Sequence, residues 1–152
     1  MKTIQTNIKV AAALVIRAGT VGGLAMIPVG LALRYGLGAT VNVYGELVVV
    51  QLLGRVVPWA LFVEHFLISW GLAVPIVWIM SRLPRVSVTL MGFAYGTAIW
   101  VLINSLALPL AFSRPTPWEI GWTAIWPSLT VHIVYGVALM HAVARARRTE
   151  RA

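Results

Sequence analysis

The sequence predicts an all-α fold: a polytopic membrane protein built as a four-transmembrane-helix bundle, with both termini cytoplasmic (N-in/C-in). Three observations predict it. Hydrophobic residues make up 60% of the 152 and charged residues only 11%, where ordinary soluble domains carry about 25%. The mean hydropathy is +0.88, and a chain this short has too high a surface-to-volume ratio to bury so much apolar surface in water. Apolar stretches long enough to cross about 30 Å of hydrocarbon recur four times. A cytosolic enzyme, a disordered regulator and a disulfide-stapled secreted module are thereby excluded. Cysteine is absent, which removes thiol catalysis, iron–sulfur clusters and thiolate zinc sites.

The first span is expected at about 8–33, with Thr6-Asn7 as its capping start. Arg17 interrupts the apolar run and no small-residue cleavage site follows, so a retained helix is expected rather than a cleaved signal. The second span, about 56–80, contains Glu64 and His65. The third, about 86–112, carries no charged side chain, and the fourth, about 120–144, has no Arg, Lys, Asp or Glu. Between the first two lies 36–55, with Asn42, Tyr44, Glu46 and Gln51 among valines and leucines. Its polar residues fall on opposite sides of a helix, so an interfacial helix, a packed loop and an extension of the second span all stay open. Thr116-Pro117-Trp118-Glu119 fits a capping box opening the fourth helix. Pro28, Pro75, Pro109 and Pro127 place one kink in each span.

Lysine and arginine set the orientation. Lys2, Lys9, Arg82, Arg85, Arg145, Arg147, Arg148 and Arg151 fall on one side, and Arg34, Arg55 and Arg114 on the other. The richer side is cytoplasmic by the positive-inside rule. Tyr35, Tyr44, Trp59, Trp118 and Trp122 supply an outer aromatic belt, with Trp78 at the inner edge. The formal charge of +8 is explained by these flanks, and no nucleic-acid surface is expected. The arginine-rich C-terminus reads as an anchor at the anionic leaflet.

Ionisable groups within the bilayer cost a few kcal/mol each unless paired. Arg17, Glu64, His65 and His132 are the four. Arg17 lies about 13 Å from the inner edge and Glu64 about 12 Å below the outer edge, at 1.5 Å per residue. A long Arg17 side chain is therefore expected to meet Glu64. These groups form either a proton or ion relay or an interhelical ion pair with hydrogen-bonded histidines. Ser128, His132 and Tyr135 share a face of the fourth helix, and Thr97 and Asn104 a face of the third. The two polar lines are expected to point at each other inside the bundle. A bis-histidine haem would need His65 with His132, because His141 faces away from His132 and lies about 13.5 Å along the same helix. Gly19 with Gly23, and Gly92 with Gly96, are close-packing pairs, expected within the monomer before a dimer. No phosphate loop, hydrolase triad or metal motif is present, so no cofactor and no metal are expected.

The segment from Gly92-Phe-Ala-Tyr-Gly96-Thr-Ala-Ile-Trp100 to Leu108-Pro109-Leu110, with Pro127-Ser128 and His132-Ile-Val-Tyr135-Gly136, resembles a group of small bacterial inner-membrane proteins. One member of that group is linked to acid resistance. In such proteins the second helix carries a histidine soon followed by glycine; here His65 precedes Gly71 at a wider spacing. The resemblance covers the third and fourth helices, implies a four-helix bundle and brings no established activity. The expectation is a non-enzymatic integral membrane protein of the bacterial inner membrane, structural or stress-related, or an accessory subunit of a larger membrane complex. Its partners would be the lipid bilayer and either a second copy or other subunits. A proton-coupled small-solute transporter or channel is the second reading, and a haem-bearing electron-transfer subunit the third.

Overall fold

The computed structural model describes residues 2–39, 44–80 and 87–149, with side chains from residue 8 onward. Asn42, Arg82, Arg85 and Arg151 lie outside the described residues, as does the Lys2 side chain. Helix α1 runs Lys2–Leu31 and ends in a π-helical turn, Ala32–Gly36. It already begins at Lys2, so Thr6 and Asn7 lie within it rather than at its cap. Helix α2 is Tyr44–Leu53 and α3 is Pro58–Met80. Helix α4, Val88–Ala111, is α-helical over Val88–Ile99, π-helical over Trp100–Ala107 and α-helical again over Leu108–Ala111. Helix α5 is the single turn Pro117–Ile120 and α6 is Trp122–Thr149. No strand occurs among the described residues.

Four of these helices are long and apolar enough to cross a membrane: Ile8–Gly36, Pro58–Met80, Val88–Ala111 and Trp122–Thr149. The chain is an all-α polytopic membrane bundle. The stretch between the first two spans resolves into a separate short helix. At about 15 Å long α2 cannot cross a bilayer, and Gly54, with φ +72, breaks it from α3. That left-handed conformation suits glycine and stops a helix.

The capping box is present but caps a different helix from the one expected. Thr116 Oγ1 accepts from the Glu119 amide, and Glu119 Oε2 accepts from the Thr116 amide at 2.7 Å. These bonds hold the exposed Glu119 carboxyl below the usual carboxylate range. The helix they open ends one turn later, because Gly121 takes φ 104 and ψ −170, which no helical residue can adopt. The fourth span therefore starts afresh at Trp122. Widening of α4 just before Pro109 has a similar local cause. A proline ring clashes with the carbonyl four residues earlier, and the π-helical turn moves that carbonyl aside.

Small residues decide the packing. Helix α6 is central, with α1 along one side and α4 along the other, and α3 packs on α1. A Cβ on Gly92 would sit 2.6 Å from Val137 Cα, and Gly96 and Gly136 press equally close, backbone on backbone. On α1, a Cβ at Gly19 would lie 2.8 Å from Trp70 Cδ1, one at Gly22 2.8 Å from Tyr135 Cε2, and one at Gly23 3.0 Å from Ser69 Oγ. Both glycine pairs are thus used inside the monomer. Ala18, Ala73, Ile76, Leu139 and Val143 form the core beneath. Arg147 closes this end by donating to the Met80 and Val77 carbonyls at the end of α3. Helices α3 and α4, in contrast, scarcely touch along their lengths.

Candidate functional site

The space between α3 and α4 is a cavity of about 540 Å³. All four spans and α2 contribute to its wall, which is mostly apolar. Five of the seven polar residues singled out from the sequence line it: Glu64, His65, Asn104, His132 and Tyr135. Ser128 stands behind them, fully buried, accepting from Asn104 Nδ2 at 2.9 Å. The polar lines of the third and fourth helices meet at that bond. Thr97 does not take part; its hydroxyl is buried with no hydrogen-bond partner, as are Trp100 Nε1 and Ser105 Oγ.

Arg17 is the correction. Its side chain is exposed and does not line the cavity. No ion pair joins it to Glu64, whose carboxyl sits instead against α2 at Gly45. Helix α1 turns Leu14, Ala18 and Gly22 toward the core and α6, and Gly19 and Gly23 toward α3. Arg17 is left on the face opposite both, so the expected ion pair does not form. Depth along the axis was compatible with pairing; rotation about it was not.

Each histidine is held by a backbone carbonyl. His65 Nε2–H donates to Gly23 O at 3.1 Å, which links α3 to α1 where the missing Gly23 side chain leaves room. His132 Nδ1–H donates to Ser128 O one turn back at 2.7 Å. A carbonyl can only accept, so these bonds leave His65 Nδ1 and His132 Nε2 as the remaining nitrogens. An axial haem ligand presents its outer Nε2 to iron most readily, and in His65 that atom is already engaged. The pair is therefore poorly disposed for a bis-histidine haem. Glu64, His65 and His132 also do not converge closely enough to hold a metal ion.

Glu64 stands apart from these groups. It makes no hydrogen bond to another described side chain or backbone group and faces α2, where a Cβ on Gly45 would lie 2.5 Å from its Oε2. Glycine at that position gives the carboxyl its space beneath the short helix. Two contributors were missed from the sequence. Ser69 donates to Gly19 O at 2.6 Å, and its carbonyl accepts from Tyr135 Oη at 2.7 Å. It follows His65 by four residues, so helical spacing would have placed it on the same face. Tyr95, inside the Gly92–Gly96 pair, donates to the Leu72 carbonyl and bridges the gap between α3 and α4.

A family model described as protein of unknown function (DUF1440) matches residues 5–141. The chain belongs to the DUF1440 family. The match reaches into all four spans, well beyond the two helices that carried the sequence resemblance. Every cavity-lining residue of this DUF1440 chain falls within the matched segment. No curated protein and no solved structure matches it.

Proposed function

We infer that this DUF1440 protein is a non-enzymatic, proton-linked binding or transport protein for a small amphipathic solute. It would reside in the bacterial inner membrane with both termini cytoplasmic. The observation that carries the reading is Glu64, a carboxyl with no hydrogen-bonding or ion-pair partner among the described residues, in a largely apolar cavity whose lining Arg34 packs over Tyr35 instead. A carboxylate there is costly unless it is protonated or neutralised by a cation. A mostly apolar ligand with a cationic group would satisfy the site and displace the proton. Intramembrane acids in apolar pathways serve as proton carriers for this reason. His65 and His132 share the cavity and offer further proton acceptors. A proton-linked site also accommodates the acid-resistance link that the sequence resemblance implies.

The test uses the purified protein in weakly buffered detergent solution, with tetraphenylphosphonium as the probe cation. Binding with proton release is expected for the wild type, and binding without release for Glu64→Gln. Equal release by both proteins, or no binding by either, would overturn the reading.

A structural or accessory-subunit role is the second reading. It is favoured by the hydrogen bonds from His65 to the Gly23 carbonyl and from Tyr135 to the Ser69 carbonyl, which fix how the helices fit together. A stoichiometric partner recovered from native membranes, with no probe binding, would give that reading precedence.

A further inference from the structure

Arg17 poses a problem that the cavity does not solve. It is an exposed arginine inside an apolar span, about 13 Å along the axis from Ile8 at 1.5 Å per residue. At 100° per residue it points about 140° away from Gly22, which faces α6, and about 160° from Gly19, which faces α3. On α6, Tyr135 and Leu139 face α1 and Gly136 faces α4. His141, Arg145 and Arg148 are exposed and point at least about 80° away from both directions. Helices α3 and α4 lie on the cavity side of the α1–α6 pair. The remaining faces of α1 and α6 therefore form one continuous outer surface. The two helices run antiparallel and meet where Gly22 touches Tyr135 and Leu139. Five residues back on α1 and a few residues on along α6, Arg17, His141 and Arg145 come to similar heights on that surface.

Among the described residues no acid balances this patch. Of the chain's 4 acidic residues, Glu64 is in the cavity, Glu46 belongs to α2, which helps to wall that cavity, Glu119 belongs to α5 at the opposite end of α6 from Arg145, and Glu150 lies outside the described residues. Arg147 is engaged by α3 carbonyls, while Arg145 and Arg148 turn outward. An uncompensated guanidinium in hydrocarbon draws water and headgroups inward, and its long stem reaches toward them. We propose that the outer α1–α6 surface is a binding site for an anionic phospholipid, whose phosphate is held by Arg17 and Arg145. Arg148 adds charge at the headgroup layer, and the acyl chains lie along exposed Val21 and Leu24. The site is separate from the cavity and does not depend on what the cavity binds.

Native mass spectrometry of the detergent-purified protein, titrated with phosphatidylglycerol or phosphatidylcholine, tests the assignment. Phosphatidylglycerol is expected to bind more tightly. Arg17→Gln should weaken that binding about fivefold, the factor matching about 1 kcal/mol per surface cation. Arg17→Lys, which keeps the charge, should retain most of it. Arg145→Gln gives an independent reading should Arg17→Gln fail to fold. Equal affinity for the two lipids would overturn the proposal, as would a phosphatidylglycerol preference untouched by the glutamine variants. Displacement of the lipid by inorganic phosphate at matched concentration would also overturn it, by showing a site for free anions.

Discussion

A single side chain can fasten the end of one span to another, and Arg147 does so. Its two guanidinium nitrogens donate to carbonyls of the last described turn of α3, which have no partner among that helix's described residues. Cations near a helix C-terminus also meet the negative end of its dipole. Hydrogen bonds from charged groups contribute about 1.5–3 kcal/mol when partly shielded from water. Arg147→Ala is expected to lower stability by about 1–3 kcal/mol, read as a fall in thermal midpoint in detergent. Arg147→Lys should recover part of that, since lysine keeps the charge but cannot span two carbonyls as a planar fork. The arginine cluster was legible from the sequence as a membrane anchor. That one member folds back onto α3 was not, because its partners are backbone atoms some 70 positions away.

At the level of elements, the contacts between helices depend on where side chains are missing. At Gly92 an added methyl would meet the backbone of α6, which cannot swing aside as a flexible side chain would. Overpacking of that kind costs about 1–3 kcal/mol. Gly71 on α3 has nothing within 4 Å, and alanine there should be neutral or stabilising by up to about 1 kcal/mol through helix propensity. Thermal unfolding of Gly92→Ala and Gly71→Ala should therefore move in opposite directions or differ plainly in size; equal shifts would mean that α4 and α6 do not approach so closely. The four long helices were readable because length and hydropathy alone define them. Their breaks were less so. Gly121 ends α5 through a backbone angle that a capping box does not encode, and the π-helical part of α4 leaves no compositional mark. The 36–55 stretch remained open in the sequence because its polar residues alternate sides, which suits a short helix packed over a cavity as well as a loop.

For the whole molecule, the arrangement of the spans separates the charged groups that the sequence placed together. Counting residues along the axis puts Arg17 and Glu64 near one another in depth, and a bundle with Arg17 turned inward would have paired them. Rotation is set instead by the glycines of α1, which bring α3 and α6 against two adjacent sides and leave Arg17 on the third. Glu64 meanwhile lies against α2 at Gly45. The two groups share no partner, so their contributions should add. Arg17→Leu replaces an exposed cation with an apolar side chain, and Glu64→Leu removes an acid that has no hydrogen bond to lose. Neither leaves the other newly unpaired, in contrast to a broken buried ion pair, where a single loss costs about 3–5 kcal/mol. The double variant is therefore expected to match the sum of the single changes within about 0.5 kcal/mol. Denaturation midpoints of the three variants and the wild type, measured in one detergent, check this. A double variant milder than that sum by more than about 1 kcal/mol, beyond the usual error of additivity, would mean that the charges do meet and that α1 is rotated from the orientation its glycines impose.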